Sequence, residues 1–590
     1  MPDSGLAPAA ARSAAPYDLP PAAWTIAACV AVAVPSLLAF NLPPSATFFN
    51  QAAAFLGWGA WAWLMASSPL PVRDALRGPT LALLAALALL TASAVAAPLW
   101  AGLPWTLAGS AIGTLAAAAL VVLVGAALAR DGRASTAFHA LCVALLVAGA
   151  VGAVIGAIQV FLPQWTDGQW IADIAGGRAA GNLRQPNHLS SLLLWSLVAL
   201  VWLAERERIG RLATMLLGTL LLAGIVLTAS RTGILGVLLL AAWGLLDKRM
   251  SRPGRARLLV SPIVFALLWV GLAAWAHQAH QAFGGDEQLA KGDISSSRFG
   301  IWANTLALIA RHPWTGVGWG EFNFAWTLTP FPGRPVAFFD HTHNLPLQFA
   351  VELGLPLAAL VLALLGWALW QAFRASGRCA DAATASTLRA AFVMVLLMAV
   401  HSQLEYPLWY AYFLLPTAWL FGYGLGRPAA GSATATGPRA LFIGGVLLVI
   451  GSVLAVADYA RVVRIFAPPR GGSTLEQRIA DGERSWFFAH HAAYAAATVD
   501  DGIAASDIAF QLAPHYLMDT RLMIAWSRAL ARAGELDKAR HLAQRLREFR
   551  NPQADEFFDD CDAPSAASAP AFQCQPAQQP PLPLWRDYLR

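Results

Sequence analysis

The chain has 590 residues, 57% of them hydrophobic and only 13% charged, with a mean hydropathy of +0.53. Soluble domains carry about a quarter charged residues, so an ordinary soluble enzyme is excluded. The net charge of +6, from 40 basic and 34 acidic residues, forms no compact basic and aromatic surface, which argues against nucleic acid as a partner.

The first two dozen residues are polar and rich in Pro and Ala, have no cleavable signal pattern, and read as a cytoplasmic tail, 1–22. Apolar runs of bilayer-crossing length follow at 23–40, 50–68, 79–98, 104–129, 136–161, 187–204, 212–229, 232–246, 258–276, 344–372, 386–403, 408–425 and 440–458. They predict an all-α polytopic transmembrane bundle of about 13 spans, whose Ala, Leu and Gly suit close helix packing in lipid. Alternate connections carry the positive charge: Arg73/Arg77, Arg130/Arg133, Arg206/Arg208/Arg211, Lys248 to Arg257, Arg374/Arg378/Arg389 and Arg427/Arg439, whereas 41–49 and 99–103 contain neither Lys nor Arg. The positive-inside rule then puts the basic turns in the cytoplasm. Connections 162–186, the turn at Arg231, the long loop 277–343, the turn at Glu405 and, with an odd span count, the tail 459–590 fall outside.

In the long loop, Ser295, Ser296 and Ser297 are placed to cap a helix from about Arg298 to Arg311, followed by the turn-forming stretch from Pro313 to Gly320. In the tail, Leu522 to Leu546 reads as helix, Gly turn, helix, resembling one tetratricopeptide-type unit that must pack on neighbours around 473–512. We therefore expect a helical domain over 459–550 and a poorly ordered Pro/Gln/Ala-rich end over 551–590. Cys29, Cys142 and Cys379 read as inert apolar residues. Cys561 and Cys574, twelve residues between them, suit a disulfide if the tail lies on an oxidising side.

Polar groups gather at the outer ends of spans, where ionisable residues usually have a task. Asp340-His341-Thr342-His343-Asn344 offers imidazoles that titrate near ~6.5, suited to general-base or substrate-positioning work, with helix capping as the bland alternative. Asp340 alone supplies too few further ligands nearby, so no metal is expected. Arg184, Gln185, Asn187 and His188 around Pro186 are either a helix cap with a snorkelling Arg or a wall that binds sugar or phosphate. Arg231, in Ser230-Arg231-Thr232-Gly233, and Arg298 each offer a forked donor suited to phosphate oxygens. Glu405 and Tyr406, before Pro407, stand where they could orient an acceptor hydroxyl, and Trp409 and Tyr410 read as interfacial anchors.

Taken in order, Arg184-Gln185-Pro186-Asn187-His188-Leu189, Ser230-Arg231-Thr232-Gly233, the run from Arg298 through Gly320 to His341-Thr342-His343-Asn344, and Glu405-Tyr406-Pro407-Leu408-Trp409 resemble the O-antigen ligase/polymerase superfamily. Within it they resemble the PglL-type protein O-oligosaccharyltransferases, strongly over 180–425. The resemblance implies a GT-C-like catalytic core (187–458 after an N-terminal region 23–186) in a bacterial inner membrane, with its active site facing the periplasm. It implies a glycan donor on undecaprenyl diphosphate, no cofactor, and a periplasmic or pilin-like acceptor protein; joining glycan to lipid A-core and polymerising repeat units are the alternatives. His343 matches the essential histidine of that family, with His341 beside it; Gln185 and Tyr406 match its important glutamine and tyrosine. Arg231 and Arg298 match arginines that hold the donor diphosphate. Which histidine does the chemistry stays open. A lipid-glycan flippase is the non-enzyme rival, but it would place its polar features near midplane in two corresponding halves.

Overall fold

The computed structural model describes residues 20–588 apart from 77, 175–176, 280–283, 285–292, 427–438, 471, 500–506, 563–569 and 578–581. Among the described residues the chain is all helix and loop, and nine helices are long and apolar enough to cross a membrane. The other four apolar runs also form helices, Pro21–Leu37, Phe48–Met65, Arg231–Leu246 and Ala411–Leu425, of 15 to 18 residues each. The thirteen runs are therefore all helical, and nine qualify as spans by length and composition. Arg77 and Arg427, two of the charges used for orientation, lie outside the described residues.

The central helix is Pro186–Glu205, with 89% of its most apolar stretch buried, against 17% for the peripheral helices Arg252–Gln278 and Ala440–Phe466. Pro186 stands at its start, where a missing N–H costs nothing. The backbones of Trp105–Leu128 and Ala411–Leu425 meet directly: a Cβ on Gly422 would stand 2.1 Å from the Val122 carbonyl oxygen, and one on Gly125 2.4 Å from that of Trp419. Without a hydrophobic driving force between helices in lipid, such contact gives the van der Waals packing that holds them.

Polar connections separate onto two faces. On one, the basic turns bond to one another: Arg389 pairs with Asp247, the Arg206 guanidinium donates to the Thr387 hydroxyl at 3.0 Å, and the Ser251 N–H donates to Glu205 at 3.0 Å. On the other, the connection 41–49 and the start of Trp105–Leu128 meet the tail. The Tyr459 hydroxyl donates to the Leu42 carbonyl and accepts from the Ser45 N–H, both at 2.9 Å, and His490 bonds Thr106 at 3.1 Å.

Three expectations are corrected. The loop helix runs Asp293–Arg311, so Ser295 to Ser297 lie within its first turns rather than capping it at Arg298. The run 344–372 is two helices, Leu345–Leu353 and Leu355–Arg378, broken at Gly354. Its φ is 77°, and a Cβ there would stand 2.3 Å from the Trp314 carbonyl oxygen, so the Pro313–Gly320 stretch needs a glycine to cross the junction. The end of the chain is ordered where described. Trp585 and Tyr588 enter the core shared by the tail and the outer loop, and Cys561 and Cys574 form a disulfide. The tail helices Thr520–Arg532 and Leu536–Glu548 pack as the expected helical pair around Gly534.

Candidate active site

The His-Thr-His loop is fixed before any side chain acts. Its neighbour Asn344 caps Leu345–Leu353 by accepting the Leu347 N–H at 3.0 Å, and the Leu345 N–H donates to the Ser402 carbonyl at 2.8 Å. Trp302 on Asp293–Arg311 donates to the Thr342 carbonyl at 2.9 Å, and the Thr342 N–H donates to Gln348 at 2.8 Å. The clamped loop holds His343 at φ 54°, a left-handed backbone that costs a β-carbon residue energy. Of five non-glycine residues with positive φ among the described residues, Arg184, Ala229 and His343 all lie in or beside the motifs singled out above. Backbone strain clusters at functional sites.

Glu405 is the hub. Its Oε2 accepts from His343 Nδ1 at 2.9 Å, and its Oε1 accepts from Arg298 Nη2 at 2.6 Å and from Asn187 Nδ2 at 3.2 Å. Asn187 in turn accepts from the Ser230 hydroxyl at 2.6 Å, and Ser230 caps the helix that starts at Arg231. One carboxylate thus ties all four motifs together. Burial pushes the Glu405 carboxyl up, but the hydrogen bond and charge of His343 and the charge of Arg298 outweigh it and hold the pKa at about 2. Glu405 is ionised throughout the physiological range.

The imidazoles are wired in series. His341 Nδ1 bonds the Asp340 carboxylate, its Nε2 faces His343 Nδ1 at 3.2 Å, and His343 Nδ1 faces Glu405. With both rings neutral, every contact is served by Nδ1–H on each: His341 donates to Asp340, and His343 donates to Glu405 and to the His341 lone pair. In that form His343 Nε2, which has no hydrogen-bond partner among the described residues, carries a lone pair on a ring 15% exposed. His341 is buried with both nitrogens engaged, and burial lowers its pKa. The Tyr406 ring lies against His341 with centroids 3.2 Å apart, its hydroxyl 3.4 Å from that of Tyr410. Burial pushes the Tyr406 phenol far above its ordinary range, so it stays a neutral donor.

The predicted donor-binding residues divide. Arg231 is exposed and has no hydrogen-bond or ion-pair partner among the described residues. Arg298 is joined to Glu405 but retains other N–H donors. Gln185 caps the central helix by accepting the His188 N–H at 2.9 Å, and Arg184 donates to the Ala39 carbonyl, so these two anchor the loop. His188 is buried on Tyr412, 3.1 Å from its hydroxyl. Arg178 was missed by sequence reasoning. It donates to the Thr228 carbonyl at 2.9 Å and the Ala229 carbonyl at 3.3 Å, bracing the turn before Arg231. Its signal was available: an arginine beside Gly177 on the face whose short connections avoid arginine.

His341, His343 and Glu405 also offer three ligand atoms within 4.8 Å of one another, a grouping suited to a metal ion. The expectation that nearby ligands are too few looked only along the local sequence, and Glu405 arrives from 62 residues away.

Comparison with known proteins agrees with the motif reading. Residues 216–362 match the family model described as O-antigen ligase. Residues 389–557 match one described as virulence factor membrane-bound polymerase, C-terminal, and 179–204 one described as protein glycosylation ligase. The chain is 27% identical over 260 residues to a general O-oligosaccharyltransferase of Acinetobacter baylyi, covering 43% of this chain and 44% of that protein. It is 29% identical over 253 residues to a ComP-specific O-oligosaccharyltransferase of the same organism, covering 42% and 44%. The chain thus spans less than half the length of the curated relatives it matches.

Proposed function

We propose that this chain is an oligosaccharyltransferase that moves a preassembled glycan from undecaprenyl diphosphate to Ser or Thr hydroxyls of a periplasmic or pilin-like protein. The observation that carries the reading is the Glu405 hub, in which one carboxylate orients an imidazole and holds a guanidinium. A hydroxyl is a weak nucleophile until a base takes its proton. In this reading His343 Nε2 takes it, the acceptor oxygen attacks the anomeric carbon, and the carbon–oxygen bond to the diphosphate breaks with inversion. Glu405 stabilises the imidazolium as it forms, the role of the carboxylate in a Ser-His-Asp triad. Arg231, with Arg298 beside the base, meets the charge that develops on the leaving diphosphate. Tyr406 and His341 orient the acceptor and the base, and no metal takes part.

The two relatives' names support the protein-modifying branch, and the match to the O-antigen ligase description favours lipid A-core as the second reading. The disulfide supports an oxidising, periplasmic location for the tail, and the outer connections that it touches would share that side. Expression with a lipid-linked glycan source and either a pilin-like acceptor or lipid A-core, followed by glycan blotting, tests the proposal. Glycan is expected on the protein; glycan on lipid A-core alone overturns the preferred branch, and glycan on neither overturns both.

A further inference from the structure

Two imidazole nitrogens that face each other at hydrogen-bond distance are either sharing a proton or prepared to share a cation. His341 Nε2 and His343 Nδ1 are 3.2 Å apart, and His343 Nδ1 is 2.9 Å from Glu405 Oε2. Ligand atoms about 2.0–2.1 Å from zinc at tetrahedral angles stand about 3.3 Å apart; two of the three separations here are close to that, and all three atoms lie within 4.8 Å of one another. The surroundings fit as well. Metal-bound histidines usually donate their second nitrogen to a carboxylate, and His341 Nδ1 has Asp340. Ligating carboxylates are themselves hydrogen-bonded, and Glu405 Oε1 is held by Arg298 and Asn187 while Oε2 faces the histidines. Imidazole nitrogen and carboxylate oxygen are both ligands of Zn²⁺.

We propose that His341, His343 and Glu405 form a transition-metal site, with Asp340 as its outer support, and that a bound ion switches off the base. The exclusion is chemical. Ligation needs the lone pair of His343 Nδ1, which moves the ring proton to Nε2. Nε2 then donates and cannot accept the acceptor's proton. Metal-bound and base-competent forms of His343 are alternative tautomers of one ring. Glu405 Oε2 is likewise withdrawn from stabilising an imidazolium. The inhibitory part rests on the proposed transfer reaction; metal binding does not.

The test uses the full chain in detergent micelles, with any affinity tag removed and the protein stripped by a chelator. Titration with Co²⁺ should give visible d–d bands that saturate at a single equivalent and are bleached by Zn²⁺. His341→Ala and Glu405→Gln should lose the bands. Asp340→Asn, a conservative change at an exposed residue, should weaken binding about tenfold, the scale of an outer-support loss. His139→Gln, at a half-buried histidine beside Trp202 on the face of the basic turns, should bind as the unaltered protein does. Absence of bands, or equal binding by His341→Ala and Asp340→Asn variants that melt as the parent does, overturns the site. In a glycan-transfer assay Zn²⁺ should inhibit with the midpoint seen in the binding titration, and chelator should restore transfer. If stripped protein is inactive and Zn²⁺ activates it, the switch is wrong. If no transfer is seen under any condition, the proposed reaction fails while the Co²⁺ titration still reports on the site.

Discussion

Among the described residues two histidine–glutamate pairs join the 277–343 loop and its flanks to other parts of the chain, and their surroundings differ. His515 Nδ1 lies 2.7 and 2.9 Å from the two oxygens of Glu321, with the side chains 1% and 0% exposed. This pair is sealed between the outer loop and the tail helix Asp507–Tyr516, and burial raises the Glu321 carboxyl above its ordinary range. His343 and Glu405 make a similar bond at 2.9 Å, yet the ring sits on a strained backbone and Glu405 divides its oxygens between His343 and the pair Arg298 and Asn187. A sealed pair joins two parts of a fold. In the proposed reaction the second pair, whose ring is 15% exposed and whose carboxylate also accepts from Arg298, holds a group ready to take a proton. The difference lies in what else touches the carboxylate, which the His–Glu distance alone does not reveal.

The sharpest way to break the comparison is to delete each imidazole. His343→Ala should lower glycan transfer by about 10²–10⁴-fold, the usual scale of general-base help, with membrane insertion and melting unchanged. His341→Ala should cost less, because its nitrogens serve neighbours. Near-normal transfer by the His343→Ala protein, with His341→Ala dead, would reverse their roles; activity in both would remove the histidine base altogether. At the sealed pair the expected damage is to stability. Glu321→Ala leaves His515 buried without its partner, and an unsatisfied buried polar group typically costs about 1–3 kcal/mol. It should free the tail to proteases at lower temperature. If this variant instead lost transfer while keeping its melting and protease profile, the assignment of a purely structural role to the pair would be wrong.

The next effect is smaller and concerns the guanidiniums. Arg231→Ala should raise the donor concentration needed for half-maximal transfer by roughly tenfold, with Lys rescuing only in part because an ammonium lacks the planar fork. Arg298→Ala should differ in kind, lowering the maximal rate as well, since Arg298 also holds Glu405. Identical kinetic profiles for the two variants would refute the division between a free donor-facing arginine and one tied to the base.

How far the sequence reaches can be judged on particular residues. All thirteen apolar runs form helices, because hydropathy and length are local properties. The His-Thr-His loop, Arg231 and Glu405 stood out because charge at a span boundary is rare. The hub itself was hidden: Glu405 draws its partners from residues 107 and 218 positions away, and no local pattern encodes that. Asn344, next to His343 in sequence, caps a helix and donates to the Gln403 carbonyl at 3.2 Å, and neither contact involves an imidazole. Gln185 and Arg184 read either as a helix cap with a snorkelling Arg or as a substrate wall; Gln185 does cap the helix, and Arg184 donates to the Ala39 carbonyl. The end of the chain misled in the other direction. Its Pro- and Gln-rich composition suggests disorder, but the aromatic rings of Trp585 and Tyr588 find a core assembled from the outer loop and tail helices. Glu321 and His515 gave no signal, since neither lies in a motif and their contact spans 194 residues.

The smallest expected effect separates the regions by pH. His541, on Leu536–Glu548, donates from Nε2 to the Leu328 carbonyl at 2.9 Å, and its Nδ1 is buried without a partner. Protonation would place a charge and an unanswered donor there, and burial accordingly holds the pKa down at about 4. His491, in the tail helix Ala489–Thr498, is held at about 4 by the same cause, and His490 is also pushed well down. The folded values lie below the unfolded value near 6.5, so the unfolded chain binds more protons in this window. The stability these histidines contribute is therefore complete above about 6.5 and is lost progressively as pH falls toward 4. By pH about 5.5 His541 and His491 should each have cost on the order of 1 kcal/mol. Protease sensitivity of the tail, followed from neutral pH downward in the full chain, should rise across this window. His541→Gln, which can still donate to Leu328 and does not titrate, should reduce that slope without abolishing it, because His490 and His491 remain. An unchanged slope would mean that His541 is not among the groups that loosen the tail, and that the joint on this side of the molecule is held by the sealed Glu321–His515 pair instead.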